Sequence, residues 1–126
     1  MKETKSEKFF ETVLKETLAS LPEEIRGALD TVQLVVRDKP TAEQLGNTGA
    51  DPDEGLYGLF EGVALPEKIY SDTQLFPDRV TLFRGSLQED FPDPKELRRE
   101  IRLTLLHELG HFFGFTEEDL EKRGYQ

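Results

Sequence analysis

The sequence contains no cysteine, and that absence excludes several chemistries at once. A disulfide framework, a thiolate nucleophile and a zinc or iron–sulfur site built on cysteine all require thiol groups. Long apolar runs are also missing, and none approaches the roughly 18–20 residues of a membrane-spanning helix. We therefore expect a protein without disulfides that does not span a membrane.

Positive charge is scarce in comparison with negative charge. The 126 residues include 16 lysines and arginines against 26 aspartates and glutamates, which gives a formal net charge of -10 at pH 7. Proteins that bind nucleic-acid backbones or anionic membrane surfaces carry basic faces, so we expect neither as a partner. The N-terminal residues lead into an amphipathic segment and not into an apolar signal core, which predicts a cytoplasmic location.

Helical periodicity marks both ends of the chain. Apolar residues recur at spacings of three and four over residues 6–21, which predicts an amphipathic helix. A longer helix is predicted to begin with Asp93 as its N-cap and Pro94 in its first turn. It is predicted to end near Phe113, because Gly114 is a natural residue to follow a helix.

Between these helices the sequence predicts three short strands, at residues 32–36, 56–60 and 79–84. These segments are rich in β-branched and aromatic residues and are bounded by glycine, proline or aspartate. Residues 45–54 hold two glycines, an asparagine, a proline and three acids, and are predicted to form a long exposed loop. The expected fold class is α+β, with a single domain over residues 1–126.

The second half of the long helix is apolar except for a narrow polar stripe. The stripe consists of Thr104, His107, Glu108 and His111, which fall within an arc of about 100° on a helix. Imidazole and carboxylate groups are costly to bury without partners, so something must satisfy the stripe. Two core histidines hydrogen-bonded to neighbours, beside an exposed glutamate, would be the purely structural explanation.

The stripe carries the order His-Glu-x-x-His at residues 107–111, and its histidines are the only two in the chain. Histidines four residues apart lie one turn apart on one helix face, so both can bind one Zn²⁺ at about 2.0–2.1 Å. Glu108 follows next around the helix, within reach of a water at the open position of the metal. We predict that His107 and His111 are zinc ligands and that Glu108 is a general base.

A catalytic zinc site needs a third protein ligand, and no other histidine is present to provide it. Gly114 permits a left-handed turn that folds the chain back under the helix. Glu117 stands three residues further on, where the elongated zincin motif places its third ligand. We predict Glu117 as that ligand, although it could instead stabilise the first turn of a last short helix. Glu100, Glu118 and Asp119 stay open as alternatives.

Three segments, taken together, carry a resemblance to a known family. They are HELGHFFGF at residues 107–115, PDRVTLFR at residues 77–84 and LYGLFEG at residues 56–62. The combination resembles the small bacterial zincin-like metallopeptidase family over most of the chain, from about residue 9 to residue 124. The resemblance implies a minimal zincin fold, in which a small mixed β-sheet packs against the active-site helix and zinc lies at the histidine pair. Larger zincins with the elongated motif carry a Met-turn beneath the metal, whereas the only methionine here is Met1.

The resemblance also implies where a peptide substrate would lie. In zincins the strand at the edge of the cleft pairs with the extended substrate. The alternation of polar and apolar residues in the third predicted strand favours that strand for this role. The predicted substrate-binding residues are therefore Val80, Thr81, Leu82 and Phe83.

The expected function is that of a zinc-dependent, peptidase-like hydrolase acting on a peptide or protein substrate. A tyrosine could stabilise the developing oxyanion, and the candidates are Tyr57, Tyr70 and Tyr125. The alternative is a non-catalytic binding or interaction module in which the same metal site only stabilises the fold. Both functions require the metal, so catalysis and not metal content distinguishes them.

Overall fold

A computed structural model describes residues 5–48, 56–62, 78–115 and 117–122 and confirms the predicted α+β class. The elements are α1 (Lys5–Ala19), α2 (Glu23–Ala28), β1 (Gln33–Arg37), α3 (Ala42–Thr48), β2 (Gly58–Glu61), β3 (Arg79–Phe83), α4 (Arg84–Asp90), α5 (Pro94–Phe112) and α6 (Glu117–Lys122). A short 3₁₀ turn, Leu29–Thr31, joins α2 to β1. Within the described ranges, no helix has both the length and the apolar character needed to cross a membrane.

The three strands form one mixed sheet with β3 in the middle. β1 pairs with β3 in parallel, so that Leu34 lies opposite Val80. β2 pairs with the other side of β3 in the antiparallel sense, so that Gly58 lies opposite Leu82. β1 and β2 are therefore the outer strands among the described residues.

One face of this sheet packs against α1 and α5 to form the main core. The buried members of the core are Phe10, Val13, Leu14, Val80, Leu82, Leu87, Leu97, Ile101, Leu105 and Leu109. α5 contacts α1, β2 and β3, which makes it the central helix of the described structure. Full burial of a leucine or phenylalanine side chain contributes about 1.5–3 kcal/mol, so this core holds α5 firmly against the sheet.

α3 occupies residues that were predicted to be a loop. The helix includes residues 45–48, whereas residues 49–54 of the predicted loop lie outside the described part of the chain. The Thr41 hydroxyl accepts the backbone N–H of Gln44 at 3.1 Å, and the Gln44 side-chain oxygen accepts the Thr41 N–H at 2.9 Å. This capping box signals the start of a helix, but the two glycines at residues 46 and 49 favoured the loop prediction instead.

β3 is not the half-buried edge strand that its alternating pattern predicted. It has a neighbour on each side, and the side chains of Val80, Thr81, Leu82 and Phe83 are all buried. The free strand edge on which the substrate-binding prediction for these four residues depended is therefore absent from β3. A strand that already pairs on both sides has no backbone groups left for a third chain. The strand also ends one residue early, because Arg84 begins α4.

Candidate metal centre

α5 begins and ends at the residues that the sequence indicated. Asp93 is the N-cap, and its carboxylate accepts the backbone N–H of Glu96 at 3.2 Å. Pro94 follows as the first helical residue, where its missing N–H costs nothing. Both features are local, and together they fix where the helix begins.

The C-terminal end of α5 closes directly after the second histidine. Gly114 has a φ of 81°, and its N–H donates to the carbonyl of His111 at 3.0 Å. The N–H of Phe115 donates to the carbonyl of Gly110 at 2.9 Å. These two bonds form a Schellman motif, which requires the left-handed conformation that glycine adopts without strain. The helix therefore ends in the left-handed turn at Gly114 that the sequence predicted.

His107 and His111 lie one turn apart on α5 and face the same site. Their ring centroids are 4.9 Å apart, and the ring planes are inclined at 70°. Both residues are half-buried, so the rings are supported by the protein while remaining accessible from outside. This arrangement is the one expected of two ligands that share a metal ion.

Glu108 completes a group of three potential ligand side chains. It is buried, with 8% of its surface exposed, and its Oε1 lies 4.0 Å from Nε2 of His111. The ligand atoms of His107, Glu108 and His111 all lie within 4.8 Å of one another, and no second such group occurs in the described ranges. Nitrogens that bind one zinc ion at about 2.0–2.1 Å are no more than about 4.2 Å apart. The group therefore fits a metal ion after small side-chain rotations.

Gly58 of β2 allows the sheet to approach this group closely. A Cβ at Gly58 would lie 2.7 Å from Cγ2 of Thr104, 3.1 Å from Cγ of Glu108 and 3.2 Å from Cδ2 of Leu82. Only a residue without a side chain leaves room for β2 against the polar stripe. This role of Gly58 was not predicted from the sequence, although a glycine inside a predicted strand is a signal of close backbone approach.

The third ligand is not decided by the described side chains. Glu117 is the first residue of α6, and its side chain lies outside the described part of the structure. Glu118, Asp119 and Glu100 are described, and none of them belongs to the histidine–glutamate group. Glu100 stands seven residues before His107, which is about 10.5 Å along the helix axis. Glu117 as a ligand thus remains a prediction.

Tyr57 is the one candidate oxyanion donor in the described part of the chain, since Tyr70 and Tyr125 lie outside it. Its hydroxyl donates to the carboxylate of Asp90, and its ring packs on Phe91 with centroids 5.5 Å apart. The hydrogen bond to Asp90 raises the pKa of Tyr57 to about 12, with smaller contributions from burial and from the charges of Asp90 and Glu100. The hydroxyl proton is therefore committed to Asp90 and not directed at the metal group.

A cleft of about 330 Å³ runs along α5 from this group, between the helix and the chain that enters β2. Its described lining residues are Leu56, Tyr57, Gly58, Glu100, Leu103, Thr104, His107 and Glu108. The volume lies at the lower end of the range of about 300–1,000 Å³ found for ligand sites. Two members of the candidate metal group thus open directly into a space that can accept part of a substrate.

Comparison with known protein families agrees with this geometry. The model of a zincin-like metallopeptidase family matches residues 29–125, which include the His-Glu-x-x-His motif and Glu117. A comparison with curated proteins finds no match. The family match covers well over half of the chain, and the mixed sheet packed on the helix of the motif is consistent with a minimal zincin fold. The chain belongs to the zincin-like metallopeptidase family.

Proposed function

We propose that this protein is a zinc-dependent peptidase in which His107, His111 and Glu117 bind the ion and Glu108 is the general base. The observation that carries the proposal is the cluster of two imidazoles and a carboxylate within 4.8 Å on one turn of α5. Imidazole and carboxylate are ligands that suit Zn²⁺. Membership of the family supports a peptide or protein as the substrate.

When bound, zinc would polarise the substrate carbonyl and lower the pKa of a water molecule, so that this water loses a proton more easily and becomes a better nucleophile. Glu108 is placed to accept the proton of the attacking water, because its carboxylate lies beside the histidine nitrogens and is largely withdrawn from solvent. The same carboxyl group then passes the proton to the leaving nitrogen. His107 and His111 keep their positions because the apolar residues around them on α5 are buried in the core.

β2 is the strand that we assign to substrate pairing, in place of β3. The N–H of Phe83 donates to the carbonyl of Tyr57 at 2.9 Å, which marks a hydrogen-bonded pair. Such pairs alternate along an antiparallel ladder, so the backbone groups of Gly58 and Phe60 point away from β3. Since Gly58 lies against Glu108, an extended peptide on this edge would pass the catalytic group.

Glu108→Gln tests the proposal by removing the base while keeping the shape of the side chain. We expect this variant to bind about one zinc ion per chain, like the parent, since Glu108 is not assigned as a ligand. We expect cleavage of an unstructured peptide library to fall by about 10²–10⁴-fold. His111→Ala is the matched control and should lose zinc and cleavage together. Plasma emission spectrometry measures the zinc, and mass spectrometry of the library measures cleavage.

Two outcomes of this experiment contradict different parts of the proposal. A parent protein that holds no zinc after reconstitution at neutral pH would refute the metal site itself. Zinc binding without any cleavage that depends on Glu108 would favour the alternative, a metal-stabilised interaction module.

Glu117→Ala tests the third ligand. We expect this change to weaken zinc affinity far more than Glu118→Ala or Asp119→Ala, which remove helix-terminal charge worth about 0.3–1 kcal/mol. Competition with a chromophoric chelator measures the affinity of each variant. If Asp119→Ala caused the larger loss, the third ligand would be Asp119.

A further inference from the structure

The cleft beside the metal group has apolar walls and an acidic end. Leu56 and Leu103 line its sides, His107 and Glu108 lie at the end near the metal group, and Glu100 lies toward the N-terminus of α5. Among the described lining residues there is no lysine or arginine. A side chain that enters this cleft from the metal end would therefore pass hydrocarbon first and meet a carboxylate at the far end.

Glu100 lies at a distance from the metal group that a long substrate side chain can span. Glu100, Thr104 and His107 are spaced by four and three residues, so they share one face of α5. The separation of Glu100 from His107 along the axis is about 10.5 Å, from a rise of about 1.5 Å per residue. A lysine or arginine next to the scissile bond, together with the side chain of Glu100 itself, can bridge that distance. A short side chain cannot.

The charge of Glu100 remains available to a ligand. Its side chain is 23% exposed, and the ion pair that it forms among the described residues is with Nε of Arg99 at 3.6 Å, on a side chain that is 66% exposed. Such solvent-exposed pairs are weak, so a substrate cation can replace Arg99 at little cost. Tyr57 lines the cleft near Glu100, and the charges of Glu100 and Asp90 both raise its pKa. Two carboxylates therefore contribute negative charge to this end of the cleft.

We infer that this cleft is a specificity site for a lysine or arginine side chain close to the scissile bond, and that Glu100 recognises the positive charge. The inference rests on the proposed peptidase function and specifies its substrate class. Apolar walls accommodate the methylene groups of such a side chain, while its cationic end pairs with the carboxylate. The excess of negative charge on the whole chain would help to attract basic peptides.

Peptide binding tests the inference without requiring turnover. The zinc-loaded Glu108→Gln protein is titrated with two short blocked peptides, one with lysine and the other with norleucine at the same position. Fluorescence anisotropy of the peptides measures binding. We expect the lysine peptide to bind up to about fivefold more tightly, as for a solvent-accessible ion pair, and the difference to shrink at high salt. Adding Glu100→Gln should abolish the difference. Adding Glu96→Gln should preserve it, because Glu96 is exposed one turn earlier on α5 and does not line the cleft.

Cleavage profiles of the parent and of Glu100 variants provide the second arm. Library peptides cut by the parent should be enriched in lysine and arginine within two residues of the cleaved bond. Glu100→Gln should lose this enrichment, and Glu100→Lys should replace it with enrichment in aspartate and glutamate. Circular dichroism checks that both variants keep the helical content of the parent.

The outcomes separate this inference from the function on which it rests. Equal behaviour of the two peptides, including no binding of either, overturns the specificity site while the Glu108→Gln assay still decides peptidase activity. Cleavage restricted to the first bond of every peptide would show that the cation recognised is the substrate amino terminus, and this also overturns the inference. Absence of zinc, or cleavage independent of Glu108, refutes the proposed function instead.

Discussion

The two halves of α5 share one helix but treat their polar residues in opposite ways. In the first half the charged side chains, except that of Glu100 in the cleft, reach solvent or a neighbouring helix. Arg98, for example, pairs with Glu16 of α1 and lies 5.7 Å from the ring centroid of Phe9. In the second half Thr104, His107 and Glu108 line the cleft, and Glu108 is only 8% exposed. Since buried polar groups must find partners, the second half can carry them only where they converge on a common site.

The apolar face of α5, by contrast, runs through both halves without interruption. Leu97 and Ile101 in the first half and Leu105 and Leu109 in the second are all buried in the same core. The core therefore holds the whole helix, and the candidate metal group of His107, Glu108 and His111 lies on a second face, in the C-terminal half only. Substitutions in the two halves should separate stability from metal binding.

The largest effect on stability is expected from Ile101→Ala. Ile101 is fully buried, so truncation should lower the free energy of unfolding by about 2–5 kcal/mol. The zinc affinity of the folded protein should stay close to that of the parent, because Ile101 does not line the cleft. Arg98→Ala is the control in the same half and should cost no more than about 1 kcal/mol. Urea unfolding of the metal-free protein measures the free energy of unfolding of both variants.

The contrast between the halves would break down if His111→Ala destabilised the metal-free protein as much as Ile101→Ala does. In that case the polar stripe would be part of the structural core.

An intermediate effect is expected from Gly58→Ala, which acts on the second half from outside the helix. The new methyl group would press on Cγ2 of Thr104 and Cγ of Glu108, and overpacking of this kind costs about 1–3 kcal/mol. Because the strain falls on the side chain assigned as the base, cleavage should decline as well. Addition of Thr104→Ser removes the tightest contact and should recover part of both losses. Additive effects of the two substitutions would argue against direct contact as the cause.

The smallest effect concerns Tyr57, whose pKa also responds to Glu100 in the first half of α5. The folded protein holds the pKa of Tyr57 at about 12, against 10.0 for an unperturbed tyrosine. A raised pKa stabilises the protonated folded form, so this contribution is complete below about pH 10 and is lost as the pH rises toward about 12. Ultraviolet titration should show one tyrosine ionising late, and Tyr57→Phe should remove that step. Asp90→Asn should shift the step to lower pH, since the hydrogen bond to Asp90 is the main cause.

What the sequence by itself determined lies mostly in α5 and its ends. The cap at Asp93, the left-handed Gly114 and the spacing of His107 and His111 are local features, each set by residues within a few positions of one another. Helical geometry then places the two histidines on one face whatever surrounds them. The helix α1, the three strands and the α+β class were also predictable, because the spacing of apolar residues within a segment is a local property. The capping box at the start of α3 was equally local and was overlooked.

Only the tertiary structure decided which strand lies at the edge of the sheet and which residues face the polar stripe of α5. A β-strand pattern records how many faces of a strand are apolar, and not which strands pair with it, so β3 was assigned to the edge when it lies in the centre. Gly58 and Glu108 are distant in sequence and meet because β2 packs on α5. Glu100 joins the cleft through the same packing. Long-range contacts of this kind depend on how complete elements fit together, and short segments do not encode that fit.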